Sequence, residues 1–191
     1  MNLRLFVALE FPLDIKTSIN QILDQLRQEK MAKSLRISRF DHLHITLKFL
    51  GDTPEEQIES IENALSATLS GIHPFELSLK QIDTFPRDRS PRVIWLGLDG
   101  NLPKLRDLVD QLETALTPLG FQKEERPFTP HLTLARIKKN SFNKKDEAHS
   151  KLLSIVKTPY FTPFQVEKVS LMKSTLKSEG SNYECLKVFK L

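Results

Sequence analysis

A chain of 191 residues fits one ordinary domain, or one domain built from two similar halves. Its 39% apolar residues can fill a core and its 27% charged residues give a soluble surface, while no stretch approaches the roughly 20 apolar residues that a membrane span needs. The lone Cys185 excludes an internal disulfide framework and a cysteine-built zinc site, and the net charge of +4 suits polyanionic partners, so the chain reads as a mildly basic cytoplasmic protein.

Residues 3–10 alternate in the manner of a strand, which fits the N-terminus better than a signal peptide does. Pro12 then opens a helical pattern in which Leu13, Ile15, Ile19, Ile22, Leu23 and Leu26 recur up to Gln28. Residues 35–39 and 43–50 read as strands, the second closed by Gly51-Asp52. Thr53 is the expected N-cap of a helix with Pro54 in its first turn, Ile58, Ile61, Leu65 and Leu69 on one face, and Gly71 at its end. The pattern then starts over: a strand at 75–83, a Pro/Arg-rich loop, a strand at 93–98, and a helix from about 102 to 117 stopped by Pro118 and Gly120. A strand at 130–137, a polar and basic loop, a helix at 146–156, and strands near 163–174 and 183–190 complete the chain. Positive clusters fall at Lys138-Lys139, at Lys144-Lys145, and at Arg87, Arg89 and Arg92. Strands and helices are mixed with hairpin-like pairs, so the expected class is α+β.

One tetrapeptide recurs. His44-Ile45-Thr46-Leu47 returns 87 residues later as His131-Leu132-Thr133-Leu134, which suggests an internal duplication. Alternation along a strand puts His44 and Thr46 on one face and Ile45, Leu47 and Phe49 on the other; His131 and Thr133 separate from Leu132 and Leu134 in the same way. Two such strands facing each other would assemble two imidazoles and two hydroxyls around one small space. A cyclic phosphodiester needs such a set: one neutral imidazole to activate water, one imidazolium to protonate the leaving oxygen, and donors for the non-bridging oxygens. A single His-x-Thr is weak evidence, but two copies inside apolar strands of corresponding halves are specific.

The chain resembles the two-histidine phosphoesterases, specifically the RNA 2′,3′-cyclic phosphodiesterase group also called 2′–5′ RNA ligases. The residues that carry the resemblance are Arg4 through Ala8, Leu43 through Gly51, Pro91 through Gly97, Arg126 through Arg136, and the tail with Leu176 through Gly180, Tyr183, Leu186 and Phe189. It implies a bilobal, duplicated α+β fold over residues 1–191, with two antiparallel sheets lining a central cleft and helices outside. It further implies hydrolysis of an RNA 2′,3′-cyclic phosphate to a 2′-phosphomonoester, with His44 as proton donor and His131 as proton acceptor. Thr46, Thr133 and Arg136 would bind the phosphate. No cofactor and no metal would be needed, and the partner would be the RNA end alone, engaged by a monomer.

Several residues carry weaker expectations. His42 departs from the family pattern; alternation puts it on the His44 face, which opens a metal reading with His44 and His131. With no acidic or cysteine partner evident, a solvent-exposed strand entry is the expectation instead. Lys48 shares the His44 face and would either contact phosphate or remain solvated. Arg126 and Arg92 read as ion-pair formers, with the cleft mouth as the alternative for Arg126. Trp95 reads as core, Phe85 and Phe128 as candidates for stacking on a base, and Cys185 as a small hydrophobe. His73 and His149 carry no assignment. The rival functions are ligation of the cyclic end to a 5′-hydroxyl, and RNA binding without catalysis.

Overall fold

Two antiparallel sheets carry the molecule, and the order of their strands interleaves the two ends of the chain. In the computed structural model, which describes residues 1–86, 91–138, 156–177 and 180–191, the strands are β1 (Asn2–Glu10), β2 (Leu35–Ile37), β3 (His44–Pro54), β4 (Phe75–Phe85), β5 (Val93–Gly100), β6 (His131–Ile137), β7 (Phe164–Val166), β8 (Lys168–Lys177) and β9 (Gly180–Lys190). The helices are α1 (Leu13–Gln28), α2 (Ile58–Leu69) and α3 (Leu102–Leu116). One sheet has the order β3-β1-β8-β9 and the other β2-β6-β5-β4-β7. The class is α+β, as expected. The helix expected over 146–156 lies outside the described residues except for Val156, as do Arg87, Arg89, Lys139, Lys144 and Lys145.

Each helix forms for a reason visible in its apolar spacing. Ile15, Ile19, Ile22, Leu23 and Leu26 bury one side of α1, and Leu105, Leu108, Val109, Leu112 and Leu116 bury one side of α3. The Asn101 side chain accepts from the Lys104 amide and caps α3. Both sheets share one apolar cluster with the helices: Leu5, Val7 and Leu9 of β1 meet it from one sheet, and Ile94, Leu96, Leu132 and Leu134 from the other. No helix among the described residues is long and apolar enough to cross a membrane.

Two expectations give way to long-range pairing. Thr53 does not cap a helix. The β1 ladder runs on to the pair Asn2 and Pro54, so Thr53 is a buried strand residue whose hydroxyl donates to the Gly51 carbonyl at 3.2 Å. A short 3₁₀ turn, Glu55–Gln57, leads into α2 instead, and the helix ends before Gly71. The expected single strand over 163–174 breaks at Glu167 into β7, which pairs with β4, and β8, which pairs with β1 and β9. Its two pieces belong to different sheets.

Candidate active site

The two tetrapeptides open β3 and β6, strands that approach within 8 Å of each other, Cα to Cα. In both, the leucine after the motif threonine breaks the ladder. Thr46 pairs with Ala8 and Lys48 with Val7, leaving Leu47 as an extra residue; Thr133 pairs with Trp95 and Ala135 with Ile94, leaving Leu134 as an extra residue. Such a bulge shifts the alternation by one, so side chains beyond it change faces.

The consequences differ from simple alternation. Lys48 leaves the His44 face and enters the core, where it is 3% exposed; its ammonium sits 2.7 Å from Glu113 Oε2 of α3 and also donates to the Gln122 carbonyl. Phosphate contact by Lys48 is thereby ruled out in this arrangement. Phe49 moves the other way, onto the His44 face, where it is exposed and its ring lies 6.3 Å from Phe6. In β6 the same shift buries Ala135 and returns Arg136 to the face of His131 and Thr133, paired with Val93 and with Arg36 of β2. Arg136 is five positions past His131, an odd offset that a regular strand would turn away from the histidine.

The histidines are held alike. His44 Nδ1 is 2.7 Å from the His42 carbonyl, and His131 Nδ1 is 2.9 Å from the Thr129 carbonyl. A carbonyl only accepts, so each Nδ1 carries the proton and each Nε2 is left for other chemistry. Each ring also rests against two aromatic side chains: Phe6 at 5.0 Å and Tyr183 at 5.1 Å for His44, Phe85 at 5.7 Å and Trp95 at 6.1 Å for His131. Both histidines and both motif threonines are half-buried. Burial pushes the His44 pKa below the ordinary imidazole value, with the His42 ring and Lys16 acting in the same sense and the His42 carbonyl and Glu10 opposing them.

The neighbouring residues resolve as follows. His42 is no exposed strand entry: it closes a 3₁₀ turn, Phe40–His42, and its side chain is 10% exposed, with the ring 4.7 Å from Tyr183. Burial lowers its pKa too, against the raising influence of Asp41. Among the described residues no group of three or more His, Cys, Asp or Glu side chains is placed to hold a metal ion. Phe128 packs against the core and is not a free stacking surface, whereas Phe85 lies flat on Trp95 at 4.5 Å with an interplanar angle of 9°. Trp95 is buried, as expected, but on the motif face. Arg92 and Arg126 are exposed and form no ion pair among the described residues, and Cys185 is exposed on β9. Beyond His131 the sheet face runs into an open depression lined by Lys80, Asp83, Gly97 and Arg106.

Reading residues singly misses Glu10, Phe6 and Tyr183. Phe6, Ala8 and Met172, with Tyr183 against them, form a small apolar cluster on the face of the β3-β1-β8-β9 sheet opposite the main core. Glu10 stands on that same face as the cross-strand partner of His44. Phe6 and Tyr183 lie in stretches that carry the family resemblance, but the place of all three beside His44 is a matter of register, which no local pattern carries.

Residues 14–177 match the model of the 2′-5′ RNA ligase superfamily. A Methanocaldococcus jannaschii protein named RNA 2′,3′-cyclic phosphodiesterase is 36% identical over 97% of this chain and 99% of its own length. Among solved structures, a Thermus thermophilus protein superposes with a TM-score of 0.79 at 26% identity, covering 98% of this chain and 97% of that one. Escherichia coli LigT complexed with 3′-AMP gives 0.76 at 25% identity, covering 100% and 99%. With the paired motif strands, these matches establish that the chain belongs to the 2′-5′ RNA ligase superfamily.

Proposed function

We propose that this protein is an RNA 2′,3′-cyclic phosphodiesterase that leaves a 2′-phosphomonoester, and that residues 1–191 form one domain whose two halves each contribute one histidine. The observation that carries this reading is the matched pair of Nδ1-to-carbonyl contacts on adjoining strands, which leaves two Nε2 atoms for proton transfer. The name of the M. jannaschii relative points to the same reaction, and the 3′-AMP in the E. coli LigT complex fits a nucleotide site in this fold.

In this reading His131 Nε2 takes a proton from water as the water oxygen attacks phosphorus. The bond from phosphorus to the 3′ oxygen breaks opposite it, and His44 Nε2–H protonates that oxygen. The 2′ ester remains and a 3′-hydroxyl is released. Thr46, Thr133 and Arg136 hold the non-bridging oxygens, where negative charge develops. Burial favours neutral His44 in the free protein, and a phosphate anion entering beside it acts in the opposite sense. Phe49, brought to the same face by the bulge, offers an exposed ring to a base.

The chemistry needs no metal. The test is incubation with an oligonucleotide ending in 2′,3′-cyclic phosphate, in EDTA, with and without a 5′-hydroxyl acceptor. The expected product is the 2′-phosphate in both. A 2′–5′ joined product would favour ligation, loss of activity in EDTA would favour a metal route, and binding without turnover that persists when both histidines are replaced would favour a binding module.

A further inference from the structure

The two motif strands are not electrostatically equal. The cross-strand partner of His44 is Glu10, at the end of β1; the cross-strand partner of His131 is Gly97, in β5. Directly opposed residues of an antiparallel pair point to the same face with Cβ atoms about 5 Å apart. One histidine therefore has a carboxylate beside it and the other has no side chain there at all.

We propose that Glu10 is a positioning residue for proton transfer, whose carboxylate favours the imidazolium form of His44 and so gives two similar histidines different roles. This rests on the His44–His131 reading above. Glu10 is fixed for the task. Its Oε1 accepts from Ser170 Oγ of β8 at 2.7 Å, and its Oε2 is 3.9 Å from Lys16 Nζ of α1, beyond hydrogen-bond distance. The short contact is to a neutral hydroxyl, which orients the carboxylate without cancelling its charge.

Among the described residues, charged and titratable groups from four elements enter the balance at His44. From β1 comes Glu10, which favours the imidazolium; from α1 comes Lys16, which opposes it. From the 3₁₀ turn, the His42 ring opposes it while the His42 carbonyl favours it. From β9, Tyr183 packs its ring edge-on against His44. Burial is the largest influence and favours the neutral ring, so a general acid at this position needs a counterweight, and Glu10 is the only side chain among these that supplies one.

The experiment compares the pH dependence of kcat, which reports the substrate-bound enzyme, for the wild type, Glu10→Gln and Lys16→Met, with the His44 ring followed by NMR titration in each. The amide introduced by Glu10→Gln keeps an acceptor for Ser170, so only the charge is lost. Glu10→Gln should move the alkaline limb, where the acid loses its proton, to lower pH, and lower the His44 pKa read by NMR; Lys16→Met should move both upward. A Glu10→Gln profile with an unmoved alkaline limb overturns the proposal, and if His44→Ala and His131→Ala still inactivate, the two-histidine reading stands without it. An NMR-read His44 pKa that Glu10→Gln leaves unmoved would also overturn the proposal, because the carboxylate would then not act on that ring. Full activity of His44→Ala would remove the catalytic reading itself.

Discussion

Beyond their bulges, β3 and β6 part company. The same one-residue irregularity sends Lys48 into the core and Phe49 to the site face in one strand, and Ala135 into the core and Arg136 to the site face in the other. One strand thus presents an aromatic ring on the site face and commits its cation to structure, while the other presents its cation there and commits a methyl group to structure. The matched bulges supply two equivalent addresses, and in the proposed function the residues at those addresses would divide the work of holding a nucleotide: a base has a flat apolar face, and a phosphate has charge.

The largest effects should come from what the strands share. His44→Ala and His131→Ala are each expected to lower the single-turnover rate by roughly a hundred- to ten-thousand-fold, the span of a lost general acid or base. The double variant should retain well more than the product of the two residual activities, as a proposed acid–base pair acting as a unit requires. Strictly multiplicative losses would mean that the histidines act independently.

Next come the residues that differ. Lys48→Met leaves Glu113 buried without its partner and should cost about 3–5 kcal/mol of unfolding free energy in denaturant titrations. Lys48→Met with Glu113→Leu should recover most of that loss, since an apolar pair of similar volume has no charge left to desolvate. Failure of the double variant to recover would place the weight on the Gln122 carbonyl, which Lys48 also holds ahead of β6. On the other strand, Arg136→Ala should lower kcat/KM by about ten- to a hundredfold through a lost charge-assisted contact worth about 1.5–3 kcal/mol, with no comparable loss of stability, because Arg136 is exposed. A large stability loss in Arg136→Ala, or none in Lys48→Met, would break the comparison between the strands.

How much of this the sequence discloses follows from the range of the forces involved. The helices are legible because Ile15, Ile19, Ile22 and Leu26 in α1 repeat at a local period, and the strands because their apolar residues cluster. His44, Thr46, His131 and Thr133 precede the bulges, so simple alternation places them on the correct face. Lys48 and Phe49 follow one, and alternation puts them on the wrong faces; Leu47 and Leu134 look like any other strand leucines, and nothing local marks either as the extra residue. Arg136 comes to notice through family resemblance, whereas alternation alone would reject it. Thr53 and Pro54 form a sound local helix start that pairing with β1 overrides. Glu10 opposite His44 is a matter of register between β1 and β3, with the whole of α1 intervening in the chain, and its place becomes visible only when the two strands lie side by side.

The smallest effect concerns His42, half-buried beside Tyr183. Burial holds its folded-state pKa below the ordinary imidazole value of 6.5, so between that value and the lower folded one the unfolded chain binds the extra proton. Stability is therefore complete above about pH 6.5 and declines as pH falls below it, and His44, shifted in the same direction, adds to the slope. His42→Asn removes one of the two contributors. Its melting temperature should fall less between about pH 7 and pH 5 than that of the wild type, while His42→Asn combined with His44→Asn should be flatter still. Because the His42 contact to His44 runs through the backbone carbonyl, His42→Asn should leave the imidazole oriented and the turnover at neutral pH within a few-fold of wild type. A turnover loss as deep as that of His44→Ala would mean that the His42 ring itself takes part in catalysis.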